Sequence, residues 1–184
     1  MKKIVWFLGL SICLLALGTL IVSCGTSEEG DTWSDINSID QLNGKWKGAY
    51  TQSMTMKEAM GEEWDEAFYG DMKVTTSVEM TFVINASEKT QSTFMKITMA
   101  YSGENINTLW AILSIAFLDN PDAVLDNEKH SITITMDGPE QPIADEDIEE
   151  ILASGLQINQ SGTRIKMPAG LLEDGSPELI FKKQ

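Results

Sequence analysis

An alternation of apolar and polar residues between Met72 and Ile84 is the clearest pattern in the chain. The apolar positions of this segment are Met72, Val74, Val78, Met80, Phe82 and Ile84. Thr76 and Val83 interrupt the alternation. Because successive side chains of a strand point to opposite faces, a period of two predicts a β-strand with one buried face and one solvated face.

A second alternation follows the polar turn Asn85–Glu88 and predicts a long antiparallel hairpin with the first. Its apolar positions are Met95, Ile97, Met99 and Tyr101. Shorter strands are indicated around Trp46, Tyr50 and Met54, at Ile132–Met136, on both sides of Ser161-Gly162, and at Leu179–Phe181. So many alternating strands predict a mainly β fold, either a barrel or a sandwich.

Two or three short helices interrupt the predicted strands. The segment Ile106–Leu118 is apolar on almost every side, and Asp119-Asn120-Pro121 ends it. A helix of this kind must be buried or must cover an apolar surface. A second helix is predicted from about Glu146 to Ser154. A third, Lys57–Phe68, contains Gly61, which weakens a helix.

The first long strand begins with Gly44-Lys45-Trp46, which resembles the Gly-x-Trp opening of lipocalins and related calycins. The resemblance implies an antiparallel, lipocalin-like β-barrel over residues 41–184, with Trp46 at its closed end. In that family a basic side chain from a late strand stacks on this tryptophan. Arg164, in a late predicted strand, is the residue expected there. Trp46 and Arg164 would then form the barrel floor.

The N-terminus carries a second resemblance. Two lysines precede an apolar run, Ile4–Val22, and the run ends in Ile21-Val22-Ser23-Cys24. This segment resembles the lipobox of bacterial lipoprotein precursors. The resemblance implies that residues 1–23 are a cleaved signal peptide and that Cys24 carries the lipid anchor. Residues 24–40, polar and rich in Ser, Gly, Asp and Glu, are then expected to be a flexible linker.

The predicted location follows from the same resemblance. In lipoprotein sorting an Asp after the lipidated cysteine favours retention at the inner membrane, whereas this chain has Gly25. We therefore expect a lipid-anchored protein of the bacterial cell envelope, at the outer membrane, on either its periplasmic or its surface face.

Composition narrows the possible functions. The chain has 13 Lys and Arg against 28 Asp and Glu, a net charge of −15, and such a surface repels nucleic acid. Two Cys and one His are too few for a structural zinc site or a disulfide scaffold. The single histidine, His130, lies in no catalytic motif. We therefore expect no enzyme, no catalytic residues, no metal and no cofactor.

The chain contains 10 methionines, and most of them occupy the apolar faces of predicted strands. Flexible thioether side chains favour an adaptable apolar pocket, so we expect a small apolar ligand, with Ile106–Leu118 as a lid or plug. The predicted ligand-binding residues are Tyr50, Met80, Phe82, Met95, Met99 and Trp110. The alternative is an interaction or inhibitor module with a filled core, which docks another envelope protein.

Overall fold

The computed structural model describes residues 32–60, 70–118, 120–171 and 177–184. The predicted signal peptide, the lipidation site Cys24 and the first part of the predicted linker lie outside these residues. So does most of the predicted helix Lys57–Phe68, of which the structure describes the beginning.

The described chain contains ten strands and three α-helices. The strands are β1 Trp33–Asp35, β2 Gly44–Thr55, β3 Lys73–Asn85, β4 Thr90–Ser102, β5 Ala123–Asp126, β6 Ser131–Asp137, β7 Gln141–Pro142, β8 Gln157–Asn159, β9 Arg164–Met167 and β10 Leu179–Lys183. The helices are α1 Met56–Met60, α2 Ile106–Ala116 and α3 Asp145–Ala153, and a 3-10 turn spans Ile39–Leu42.

All ten strands belong to one antiparallel sheet, which confirms the prediction of a mainly β, antiparallel fold. The strand order is β1-β8-β9-β10-β2-β3-β4-β6-β5, and β7 pairs with β4 outside this path. β1 and β5 are its two ends, so the pairing among the described strands does not close the sheet into a ring. The structure therefore shows the antiparallel sheet, and not the closed barrel.

The predicted hairpin forms the centre of the sheet. Every residue of β3, from Lys73 to Asn85, pairs with a residue of β4 in unbroken register. β2 pairs along the other side of β3, so that Trp46 lies opposite Phe82. Thr76, which interrupts the apolar pattern, keeps its place in the register and is buried. The break in the pattern is therefore a polar side chain within the core, not a bulge.

One face of the sheet carries the core, and we call it the inner face. Its buried apolar residues on the strands include Trp46, Val78, Met80, Ile84, Ile97, Ile158, Ile165, Leu179 and Phe181. Eight strand spacings would make a flat sheet about 38 Å wide. The 9-residue helix α3, about 14 Å long, covers only part of that width. The remaining strands of the inner face therefore lie outside the reach of α3.

Helix α3 packs on the inner face through its one apolar stripe. Ile148, Ile151 and Leu152 contact the core cluster, as the spacing in the sequence predicted. Asp147 accepts a hydrogen bond from the backbone N–H of Ala144 at 3.2 Å. The acidic residues of the first turn also interact favourably with the positive end of the helix dipole.

Helix α2 is buried on one side and exposed on the other. Leu109 and Trp110 are buried. Ile112, Ile115 and the following Leu118 are 51%, 74% and 72% exposed. Of the two predicted possibilities, full burial does not apply, because one side of the helix faces outward.

The folded part also begins earlier than predicted. Residues up to 40 were expected to be linker, yet Trp33–Asp35 forms strand β1, which pairs with β8. Ile36 is 2% exposed, and its backbone N–H donates to Leu156 O at 3.1 Å. The apolar side chain of Ile36 joins the core cluster, which explains why this short segment is ordered.

Candidate functional site

Trp46 lies at one end of the inner face and is fully buried. Its indole Nε1–H donates a hydrogen bond to Leu42 O at 2.6 Å, so the 3-10 turn before β2 is tied to the ring. The ring stacks on Phe82 with the centroids 6.3 Å apart, and Phe82 meets Phe181 edge to face at 5.0 Å. A Cβ at Gly48 would lie 2.7 Å from the Phe181 ring, so this close packing requires glycine there.

The cation over the Trp46 ring is Lys183, with its Nζ 5.2 Å from the ring centroid. The family resemblance predicts Arg164 at this position. In the register Arg164 lies opposite Lys182, whereas Lys183 lies opposite Trp46. Strand alternation therefore places Arg164 on the outer face, and the structure does not bring the two residues of the predicted floor together.

Five of the six predicted ligand residues share the inner face. Tyr50 lies opposite Val78 on β3, and Met80 lies opposite Met95 on β4. The positions of Phe82 and Met99 follow from the same alternation. The structure thus brings together Tyr50, Met80, Phe82, Met95 and Met99 as one surface across three neighbouring strands.

These side chains differ in how far they are covered. Met80 is buried in the core cluster at 6% exposure. Tyr50, Met95, Met99 and Met136 pack against the cluster and stay half-buried. Ile134 of β6 is also half-buried and pairs with Ile97 on the same face. We call Tyr50, Met95, Met99, Ile134 and Met136 the apolar band. The prediction missed the two β6 residues, although their alternation with Thr133 and Thr135 indicated an apolar face.

Thr76 lies beside the apolar band, on the same face of the sheet. Its cross-strand neighbours are Gln52 on β2 and Met99 on β4. The side chain is 4% exposed, and Oγ1 has no hydrogen-bond partner in the described part of the chain. A buried hydroxyl without a partner is destabilising and uncommon. The sequence could indicate Thr76 only as a break in the pattern.

Tyr101 continues the inner face beyond Thr76. Its hydroxyl contacts the sulfur of Met99 at 3.8 Å, a distance typical of a weak O–H···S hydrogen bond. Burial raises the pKa of the Tyr101 hydroxyl, because the charged phenolate is less well solvated there. The phenol therefore stays neutral at neutral pH, and this end of the face carries no negative charge from it.

Trp110, the sixth predicted ligand residue, has a different position. It lies on α2, where its Nε1–H donates to Asn127 Oδ1 at 2.9 Å. Its ring meets the edge of His130 with the centroids 5.6 Å apart. These contacts join α2 to the turn between β5 and β6. Trp110 therefore attaches the helix to the sheet, and the contacts do not place it on the apolar band.

Among the residues that the structure describes, no three His, Cys, Asp or Glu side chains are grouped so that they could hold a metal ion. No helix within the described ranges is long and apolar enough to cross a membrane.

We compared the chain with protein-family models, with curated proteins and with solved structures, and none of them matched it. The geometry of the inner face and the sequence patterns are therefore the basis on which a function is proposed.

Proposed function

We propose that this protein is a lipid-anchored envelope lipoprotein that binds a small apolar molecule on the inner face of its sheet. The observation that carries the proposal is the apolar band, whose five side chains are half-buried. When a ligand covers apolar surface of this kind, the burial favours binding by roughly 25 cal/mol per Å² of apolar area. A lipocalin-like origin of the sheet is part of the same proposal.

The composition of the band supports a ligand in preference to a rigid surface. Met95, Met99 and Met136 are three of its five members, and methionine repacks around different shapes with little loss of energy. Tyr50 adds an aromatic surface. Sites for small apolar molecules are lined predominantly by such residues.

Binding is tested by titrating the purified full chain with an apolar probe and following tryptophan fluorescence. Met99→Glu places a charge in the band and should abolish binding, because an unpaired carboxylate is poorly tolerated against an apolar ligand. Phe94→Glu is the matched control on the same strand. Phe94 pairs with Thr81 on the outer face and is 37% exposed. Equal binding by both variants would contradict the proposed site.

The anchor is tested separately. We expect Cys24→Ala to leave an uncleaved precursor or to release the protein from the membrane fraction. Mass spectrometry of membrane-extracted protein should find the chain beginning at Cys24 with bound acyl groups. An N-terminus at Met1 on that material would contradict the lipoprotein proposal.

The outward side of α2 favours a second candidate function, an interaction module that docks another envelope protein. Ile112, Ile115 and Leu118 are large apolar residues that are at least half exposed. Such exposure is typical of contact surfaces when the residues lie together. Site-specific crosslinking from position 115 in cells tests this candidate. Crosslinks to one protein that Ile112→Ser abolishes would favour it.

A further inference from the structure

The unpartnered hydroxyl of Thr76 lies where the proposed ligand would bind. Thr76 and Met99 are cross-strand partners, and Met99 belongs to the apolar band. The hydroxyl is more than nine-tenths buried and has no partner among the described residues. A ligand atom that forms a hydrogen bond with Oγ1 would remove this penalty, and an alkyl chain alone would not.

The charge around Thr76 restricts the kind of ligand atom. We call the residues that are paired with one another across neighbouring strands a row. The row of Thr76 includes Gln52, Met99 and Ile132, all on the inner face. In this row, and in the described positions of the rows on either side, there is no lysine or arginine. Lys183 lies on the same face beside Trp46, six residues along β2 from Gln52, or about 20 Å away.

A fatty carboxylate placed at Thr76 would therefore lack a cationic partner. Burying an ionised group without one is strongly unfavourable. The net charge of −15 adds a general repulsion of anions. A neutral hydroxyl or carbonyl group has neither disadvantage and can pair with Oγ1, because a threonine hydroxyl both donates and accepts.

We infer that the ligand is an uncharged amphiphile, whose hydroxyl or carbonyl group pairs with Thr76 Oγ1 while its hydrocarbon part covers the apolar band. This inference rests on the proposed function and specifies its ligand class. On β4 the band extends from Met99, which lies opposite Thr76, to Met95, which is roughly 14 Å along the strand. This length matches an extended decyl chain.

The test is calorimetric titration of the purified full chain at pH 7.4 with 1-decanol and with decanoate. The two probes share their alkyl chain and differ in the charge of the head group. We expect decanol to bind at least tenfold more tightly than decanoate. Thr76→Val, which keeps the shape of the side chain, should weaken decanol binding roughly three- to tenfold through the lost hydrogen bond.

Two further variants control for folding. Thr76→Ser retains a hydroxyl and should keep the preference for decanol. Thr81→Val makes the same change on the outer face of β3, opposite Lys47, and should leave binding unchanged. A decanol affinity that is unaltered by Thr76→Val would overturn the role of Thr76.

The two proposals fail in different ways. Equal or tighter binding of decanoate would overturn the inference about charge and leave the proposed carrier function in place. If neither probe binds, the inference and the carrier function are both wrong.

Discussion

Replacing Trp46 by alanine tests how the inner face is held together at its end. The indole is fully buried, stacks on Phe82 at 6.3 Å and donates a hydrogen bond to Leu42 O at 2.6 Å. Lys183 Nζ lies 5.2 Å from the ring centroid. The substitution removes all of these contacts together and leaves a large cavity in the core.

We expect Trp46→Ala to lower the free energy of unfolding by about 3–5 kcal/mol, the range measured for buried large aromatic residues. Trp46→Phe keeps a stacking ring and removes the hydrogen-bond donor, so the Leu42 carbonyl loses its indole partner. That change should lower the free energy of unfolding by about 1–3 kcal/mol. Lys183→Met should have an effect below about 1 kcal/mol, because Lys183 is an exposed residue.

The measurement is equilibrium unfolding in urea, followed by far-ultraviolet circular dichroism. Trp33→Ala is the matched control. Trp33 is half-buried on the edge strand β1, where Lys166 Nζ lies 4.5 Å from its ring centroid. Its loss should lower the free energy of unfolding by about 1 kcal/mol or less. Equal losses for Trp46→Ala and Trp33→Ala would refute the reasoning from burial.

Three other predictions concern stability. Thr76→Val should raise the free energy of unfolding of the ligand-free protein by about 1–2 kcal/mol, because it removes a buried hydroxyl without a partner; thermal melting measures this. Leu109→Ala should lower it by about 2–4 kcal/mol, whereas Ile115→Ser should change it by less than about 0.5 kcal/mol, since Ile115 is 74% exposed; urea unfolding compares the two. A hydrogen bond from Lys47, whose Nζ lies 2.9 Å from Glu79 Oε2, lowers the pKa of the Glu79 carboxyl. The stability that this pair contributes should therefore be present above the ordinary carboxyl pKa and be lost as the pH falls through the lowered value. Lys47→Met should reduce stability at pH 7 by less than about 1 kcal/mol and leave it unchanged in acid, as measured by urea unfolding at a series of pH values.

Each of these predictions has a contradicting result. A lower melting temperature for Thr76→Val would mean that the hydroxyl has a partner in the folded protein. A large loss of stability for Ile115→Ser would mean that the outward side of α2 is covered. For Lys47→Met, a loss of stability that persists in acid would assign its role to packing and not to charge.

The alternation of apolar and polar residues was sufficient to predict most strands and which face of each strand is buried. The alternation in β3 and β4 predicted the central hairpin, because side-chain direction in a strand depends only on position. The same rule indicates which basic residue faces Trp46. Lys183 continues the apolar positions Leu179 and Phe181, whereas Arg164 alternates with Ile165. The family resemblance predicted that Arg164 stacks on Trp46. The alternation along β10 indicates Lys183 for that position instead.

Other features depended on contacts between segments that are distant in sequence. The burial of Ile36 depends on residues near position 156, so the sequence did not show that the core begins before residue 40. Helix α2 is apolar on almost every side, and the contacts of Trp110 with Asn127 and His130 decide which side is covered.

Thr76 shows most clearly what the sequence determined and what only the tertiary structure decided. The sequence placed a hydroxyl on the apolar face of a strand, because the period of two continues on both sides of it. Whether that hydroxyl has a partner depends on the side chains that β2 and β4 bring opposite it, Gln52 and Met99. A hydrogen bond requires two groups within about 3 Å of each other, and only the packed sheet determines that distance.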